Sequence, residues 1–345
     1  MPINTVIVDD SALARDILRD FLEADGNFKI IGEAEDGEEG VQKILALNPD
    51  LVTLDIQMPK LNGLDVIEAV MKKASIPIVV ITSQDTAKTA YEATLKGALE
   101  FYPKDTFSAS LRPEKQKEIY ETLKRISGVK TQNQAVWHSQ TGSAEQVLGK
   151  QPEKREIQAV VIASSTGGPK ALSKFVSLLP GDFPVPVIIV QHNSSGFDKS
   201  FAQWLDTYTN LNVKLAEEGE TPVSGTIYIA QTDKHLMLKS KDGQGYRLCY
   251  NDDEPENNQK PAADVLFRTA ADSLKDSVIS VVLTGMGSDG ALGTERIRKM
   301  GGITLAQDEE SSIIYGMPKA AAETGCVDEV LPLDSIPAEL VRLTK

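Results

Sequence analysis

Short Val- and Ile-rich runs alternate with amphipathic helical segments in both halves of this 345-residue chain, and that alternation leaves few folds open. A strand, a crossing helix and a second strand place the strands parallel, so repeated units build a doubly wound sheet. In the first half the runs fall at residues 5–8, 29–32, 51–54, 78–81 and 100–102. Between them Ala14, Ile17, Leu18 and Phe21, then Val41, Ile44 and Leu45, then Ala87, Ala90, Tyr91 and Leu95 recur at helical spacing. In the second half, runs at 159–163, 185–190, 278–283 and 303–306 read as buried strands. Helical patterns begin at Ser200, Phe201 and Trp204, cover 263–274 and end at Gly301-Gly302, while 225–248 reads as short strands with a hairpin turn at Asp242-Gly243. The expectation is α/β throughout: two doubly wound parallel-sheet domains, the second with an edge hairpin.

The boundaries follow from where this pattern lapses. Ile119, Leu123 and Ile126 line one face of a last helix, which closes a first domain at residues 1–126. Residues 127–154 are rich in Gln, Ser, Thr, Gly and Lys and read as a flexible tether, with Val136 and Trp137 incidental to it or docked on a domain and His138 a solvated linker histidine. Residues 155–345 form the second domain. A net charge of -14 argues against nucleic acid, which needs a basic face to displace counterions, and against an anionic lipid surface. No apolar run approaches the ~20 residues that span a bilayer, so no direct membrane insertion is expected. The opening MPINTVIVDD enters a strand with no signal-peptide pattern, and Cys249 and Cys326 stand far apart, which together imply a reducing, cytoplasmic setting.

Acidic residues sit at the strand ends of the first domain. Asp9 and Asp10 close the first run, Asp55 closes the third, Thr82 ends the fourth and Lys104 lies past the fifth. In a parallel sheet these ends share one crevice. Three carboxylates there repel one another unless a hard cation such as Mg²⁺ sits among them. Carboxylates, a metal, a hydroxyl and an ammonium suit transient phosphoryl transfer to a carboxylate. The plainer readings are a helix cap at Asp10-Ser11, a turn at Asp55 and a solvated Lys104.

The motifs Val8-Asp9-Asp10-Ser11, Leu54-Asp55-Ile56-Gln57-Met58-Pro59, Gly63, Thr82-Ser83, Phe101 and Lys104 resemble those of two-component receiver domains. The resemblance implies a flavodoxin-like strand order 2-1-3-4-5 and Asp55 as phosphoacceptor. It also implies Mg²⁺ held by Asp10, Asp55 and the Gln57 carbonyl with Asp9 behind, and a Thr82, Phe101 and Lys104 switch. Here Pro103 precedes the lysine, where the family has proline after it.

The second half turns on the stretch from Ile157 to Leu179. Its apolar run breaks at Ala163-Ser164-Ser165-Thr166-Gly167-Gly168-Pro169, and a helical pattern follows at once. Such a turn can present a nucleophilic hydroxyl, cap a helix or bind an anion. Without the Gly-Lys-Ser/Thr ending of a P-loop, nucleotide is disfavoured. His192 and Asp289 likewise stand just past apolar runs, so Ser165, His192 and Asp289 can meet at one sheet end. Imidazole and carboxylate would then activate the hydroxyl. Gly285 and Gly287 let amides approach an oxyanion, with Met286 the candidate donor. His235, in the hairpin region, reads as structural.

Ala163 to Gly168, Gln191-His192, Ser200-Phe201-Ala202, Pro261 through Phe267 and Leu283 through Gly290 resemble the catalytic domain of the chemotaxis protein-glutamate methylesterases. With a receiver in front, the whole domain order of that family is reproduced. The resemblance implies a Rossmann-like α/β domain and a Ser165–His192–Asp289 triad. The implied activity is hydrolysis of glutamate γ-methyl esters, with deamidation of glutamines, on chemoreceptors, switched by a histidine kinase. Ester hydrolysis would need no cofactor. The chain departs from the family's usual residues at Asn193-Ser194-Ser195, Trp204 and Lys260, all expected near the cleft. The rivals are a non-catalytic binding module and a phosphate- or nucleotide-binding regulator.

Overall fold

A computed structural model of the chain describes residues 1–83, 87–107, 111–129, 156–241 and 245–345. It divides into two units, Met1–Lys150 and Gln151–Lys345. From residue 130 on, the expected tether lies outside the described residues, as do Val136, Trp137, His138 and the Asp242-Gly243 turn.

In the first unit β1 (Ile3–Val8), β2 (Phe28–Ala34), β3 (Leu51–Leu54), β4 (Ile78–Thr82) and β5 (Glu100–Pro103) form one parallel sheet in the order β2-β1-β3-β4-β5. Every residue of β3 and β4 is buried, because helices cover both faces of the sheet; that is why these strands read as unbroken apolar runs. The helices are α1 (Ala12–Ala24), α2 (Gly37–Leu47), α3 (Gly63–Met71), α4 (Ala87–Lys96) and α5 (Pro113–Ser127). The sequence reading did not place α3. It is a nine-residue helix that buries Val66, Ile67 and Val70, too short for a clear 3.6-residue period, and is capped by Asn62 accepting from the Asp65 amide at 3.1 Å.

The second unit runs β6 (Ala159–Ser164), α6 (Gly168–Ser177), β7 (Val187–Gln191), α7 (Asp198–Asp206), β8 (Asn212–Leu215), β9 (Thr226–Ile229), β10 (His235–Ser240), β11 (Tyr246–Asn251), α8 (Ala263–Leu274), β12 (Val278–Val282), α9 (Ala291–Lys299), β13 (Ile303–Gln307), α10 (Met317–Glu323), β14 (Glu329–Leu331) and α11 (Ile336–Thr344). Its main sheet is seven-stranded and parallel, ordered β14-β13-β12-β6-β7-β9-β8. The antiparallel β10–β11 hairpin is a separate small sheet. It is tied to α8 where the Leu238 amide donates to Thr269 Oγ1 at 3.2 Å and Ser273 Oγ donates to the Leu238 carbonyl at 3.0 Å.

β8, β14, α10 and α11 were not legible in the sequence. β14 has three residues, two of them exposed, and exists because the neighbouring β13 offers it a ladder. What matters for the site is the position of β6. Its neighbours are β7, which follows it in the chain, and β12, reached only after five intervening strands. The winding reverses at β6, and such a reversal opens a crevice at the carboxyl ends of the strands.

Candidate active site

Ser165, His192 and Asp289 all lie at that reversal: just past β6, just past β7, and in the loop between β12 and α9. The turn from β6 to α6 is held by main chain. The Ser165 amide donates to the Thr284 carbonyl at 3.1 Å, and its carbonyl accepts from Gly168 at 2.7 Å. The N-cap of α6 is Gly167 at φ 78°, so neither Ser165 nor Thr166 occupies the capping position. Gln191 locks this turn to the next strand. Its Nε2 donates to the Ser165 carbonyl at 3.1 Å and the His192 carbonyl at 2.9 Å, while its Oε1 accepts from Ser164 Oγ at 2.7 Å. Only glycine fits at 168, since a Cβ there would lie 1.9 Å from Gln191 Oε1.

The His192 imidazole is 7% exposed and its Nε2 meets Asp289 Oδ2 at 2.9 Å. A carboxylate only accepts, so Nε2 carries the proton and Nδ1 presents a lone pair in the neutral ring. Nδ1 is buried without a hydrogen-bond partner, so the imidazole engages Asp289 and leaves the bond to Ser165 unmade.

Asp289 is 2% exposed and accepts from more than the histidine. The amides of Ala263 (2.6 Å), Asp264 (2.9 Å) and Gly290 (3.1 Å) and Asn257 Nδ2 (3.3 Å) all donate to it. Two of these amides open α8, so a distant carboxylate caps that helix at its positive end. Burial works to raise the Asp289 carboxyl, but His192 and the amides outweigh it and hold the group below its ordinary value.

The loop carrying Gly285 and Met286 is wedged against the serine. A Cβ on Gly285 would fall 2.8 Å from Ser165 Cβ and 2.4 Å from Met317 Sδ. Gly285 itself is pinned, donating to Ile314 at 3.0 Å and accepting from Gly316 at 3.1 Å and Met317 at 2.8 Å. Met286, half-buried, is the next residue. Thr284 ties the same loop to the serine turn, its Oγ1 donating to the Thr166 carbonyl at 3.1 Å, and its amide is held by Gln307 Oε1 at 2.7 Å.

His235 is a satisfied core residue. Its Nδ1 accepts from the Ala262 amide at 3.1 Å and its Nε2 meets the Glu254 carbonyl at 3.0 Å, so the ring is neutral and fully used. Of the departing positions, Trp204 is not at the cleft. It is 2% exposed and stacks on Phe201 at 6.0 Å and against Tyr208 at 5.0 Å, inside the core. Ser195 Oγ donates to Asp233 Oδ2 at 2.5 Å, and Lys260 Nζ donates to the Asp252 carbonyl at 3.0 Å.

In the first unit, carboxylate oxygens of Asp9, Asp10 and Asp55 lie within 4.8 Å of one another, a hard-oxygen set that fits a divalent cation. Lys104 Nζ reaches Asp55 Oδ2 at 2.7 Å and Asp9 Oδ2 at 2.8 Å, so the preceding Pro103 does not carry it away from the crevice. Burial pushes the Asp55 carboxyl up, against the pull of Lys104. Burial also opposes the Lys104 charge, yet the two carboxylates hold its ammonium above the ordinary value. Gly63 closes the loop behind Asp55, where a Cβ would sit 2.4 Å from the Asp55 carbonyl. Thr82 ends β4 in full burial, and Phe101 packs edge-on against Tyr91 at 4.9 Å. Gln57, between Asp55 and α3, is exposed.

Gln191, Asn257, Asp264, Thr284 and Gln307 tie these loops and Asp289 together by hydrogen bonds, and sequence reasoning gave none of them a role. Each acts through a partner more than ten residues away, which leaves no local signal beyond Asp264 falling in the first turn of an expected helix.

Two family descriptions match the chain. One for the CheB methylesterase covers residues 160–340, and one for the response regulator receiver domain covers residues 5–113. The protein-glutamate methylesterase/protein-glutamine glutaminase of Pyrococcus abyssi is 38% identical over 343 residues, covering 99% of this chain and 93% of its own. That of Thermotoga maritima is 38% identical over 347 residues, covering 99% of this chain and 98% of its own. The crystal structure of the Thermotoga maritima CheB methylesterase catalytic domain matches with a TM-score of 0.53 at 42% identity, over 55% of this chain and 99% of that one.

Proposed function

We propose, on the premise that this chain belongs to the CheB-type protein-glutamate methylesterase/protein-glutamine glutaminase family, that Ser165, His192 and Asp289 carry its hydrolysis. The observation that supports this best is the 2.9 Å bond from His192 to Asp289, with the second ring nitrogen left unpartnered at the β6 reversal. His192 Nδ1 takes the Ser165 proton as Oγ attacks the γ-carbonyl of a methylated glutamate. The C–O bond to methanol breaks and the imidazolium returns its proton to the leaving methoxide. Water then attacks the acyl-enzyme, with His192 again as base, and frees the glutamate carboxylate and the serine. Asp289 keeps the proton on Nε2 and stabilises the transient cation. The Met286 amide is the proposed donor to the oxyanion, beside a glycine that lets its loop touch Ser165. The same sequence with ammonia leaving deamidates glutamine.

Because Gly285 abuts Ser165 Cβ, Gly285→Ala is expected to displace the oxyanion loop and cut kcat on the order of 100-fold. Methanol-release kinetics check this, and a variant at wild-type rate removes the loop from the mechanism.

In the first domain we assign Asp55 as the phosphoacceptor and Asp9, Asp10, Asp55 and the Gln57 carbonyl as the Mg²⁺ site. The ion would neutralise charge on the incoming phosphoryl group, with Lys104 facing it and Thr82 and Phe101 reading the result. The phosphodonor is a histidine kinase of a chemotaxis array, the substrates are methyl-accepting chemoreceptors, and the setting is cytoplasmic. Among the described residues no helix is long and apolar enough to cross a membrane. Asp55→Asn is expected to lose both phosphoryl uptake and the rise in methanol release caused by a small-molecule phosphodonor with Mg²⁺. Stimulation that survives in the variant would place the phosphoacceptor elsewhere.

A further inference from the structure

Behind Asp289 lies a second buried carboxylate. Asp264, in the first turn of α8, is 0% exposed. Its Oδ1 accepts from the Gly293 amide at 2.6 Å, and its Oδ2 accepts from Asn257 Nδ2 at 2.8 Å. The same Asn257 nitrogen reaches Asp289 Oδ1 at 3.3 Å. One amide group therefore bridges two buried acids, giving a hydrogen to each.

Asn257 is itself held in place. Glu256 and Gln259 exchange main-chain bonds at 3.1 and 2.9 Å, closing a two-residue turn. Asn257 (φ 54°) and Asn258 (φ 61°) supply the left-handed backbone such a turn demands, which asparagine tolerates. Arg268 grips Glu256 through both carboxylate oxygens and fixes the turn on α8. Asn257 is exposed, while both acids that its amide bonds are buried.

We infer that Asp264 is a positioning residue for the hydrolysis: through Asn257 it orients Asp289 and, when ionised, adds a second negative charge behind the His192–Asp289 pair. This rests on the triad proposed above. The charged groups facing Asp264 are Asp289 from the loop ahead of α9 and Glu256 from the turn, with Arg268 one turn along α8; His235, at the start of β10, is neutral by its bonds. Burial, reinforced by the Asp289 charge, lifts the Asp264 carboxyl to about 6. An ionised Asp264 favours the imidazolium, so its protonation below that pH weakens the base step. The acid limb of kcat then carries two protons rather than one.

The test is methanol release from methylated receptor membranes by the full chain, without phosphodonor, with kcat and KM followed from pH 5 to 9. In Asp264→Asn the acid limb is expected to fall to unit slope and move to lower pH, since the lost anion no longer supports the imidazolium. The plateau kcat drops roughly tenfold with KM unchanged. Asn257→Gly suits the left-handed backbone and deletes only the amide. The two acids then face each other unbridged, Asp264 holds its proton more tightly, and the limb moves to higher pH. An Asp264→Asn profile that overlays the wild type overturns the inference. If that variant does not fold, an unshifted limb in Asn257→Gly overturns it instead. Ser165→Ala run alongside keeps the two ideas apart: methanol release there removes the triad itself, whereas its loss leaves the triad standing whatever Asp264 does.

Discussion

Ser165→Ala is expected to abolish methanol release, a loss on the order of 10⁶-fold, because in the proposed mechanism its hydroxyl is the atom acylated. Stability should barely move. The Ser165 main chain carries the structural bonds of the turn, to Thr284, Gly168 and Gln191, and alanine keeps all of them. A change within about 0.5 kcal/mol is expected for deleting a hydroxyl that holds nothing else. Kinetics and a thermal melt on the same preparation separate the outcomes. A folded variant that still turns over methylated receptor would mean another nucleophile.

Asp289→Asn has the second largest expected effect, and it strikes both activity and stability. The wrong imidazole tautomer is favoured once the carboxylate becomes an amide, and kcat should fall about 10⁴-fold. The carboxylate also accepts from Ala263, Asp264, Gly290 and Asn257. An amide can offer only one oxygen to that set, and its NH₂ must then face an N–H, which costs roughly 3 kcal/mol. The pH dependence follows from the sign of the shift. Asp289 is held below its ordinary value, so its stabilisation is full above the ordinary carboxyl range and disappears as pH falls through the lowered value. Denaturant midpoints of variant and wild type should therefore differ clearly at pH 7 and converge in strong acid. A constant gap would place the stabilising role in shape rather than charge.

Asp264 and Asp289 belong to one hydrogen-bonded unit, so the effects of substituting them will not add. Asp264→Asn should change the pH at which the enzyme works, whereas Asp289→Asn should remove most of the rate at every pH.

The class of fold, and where its candidate site residues fall, can be read from the local pattern of the chain alone. Buried parallel strands must be continuous apolar runs, so β3, β4, β6, β7 and β12 announce themselves, and the small or acidic residues that break those runs mark the strand ends. Ser165, Asp289, Asp9 and Asp55 stand out as candidates for that reason, and His192 and Lys104 as polar residues just past such ends. The folded arrangement settled how β6 sits between β7 and β12, because strand order is a matter of non-local pairing that no local period encodes. It alone decided that Gln191 locks the serine turn, that Trp204 belongs to the core, and that an α8 amide cap, an asparagine turn and Asp264 converge on one carboxylate. Those partners are distant in sequence and meet only because the sheet winding brings their loops to the same end.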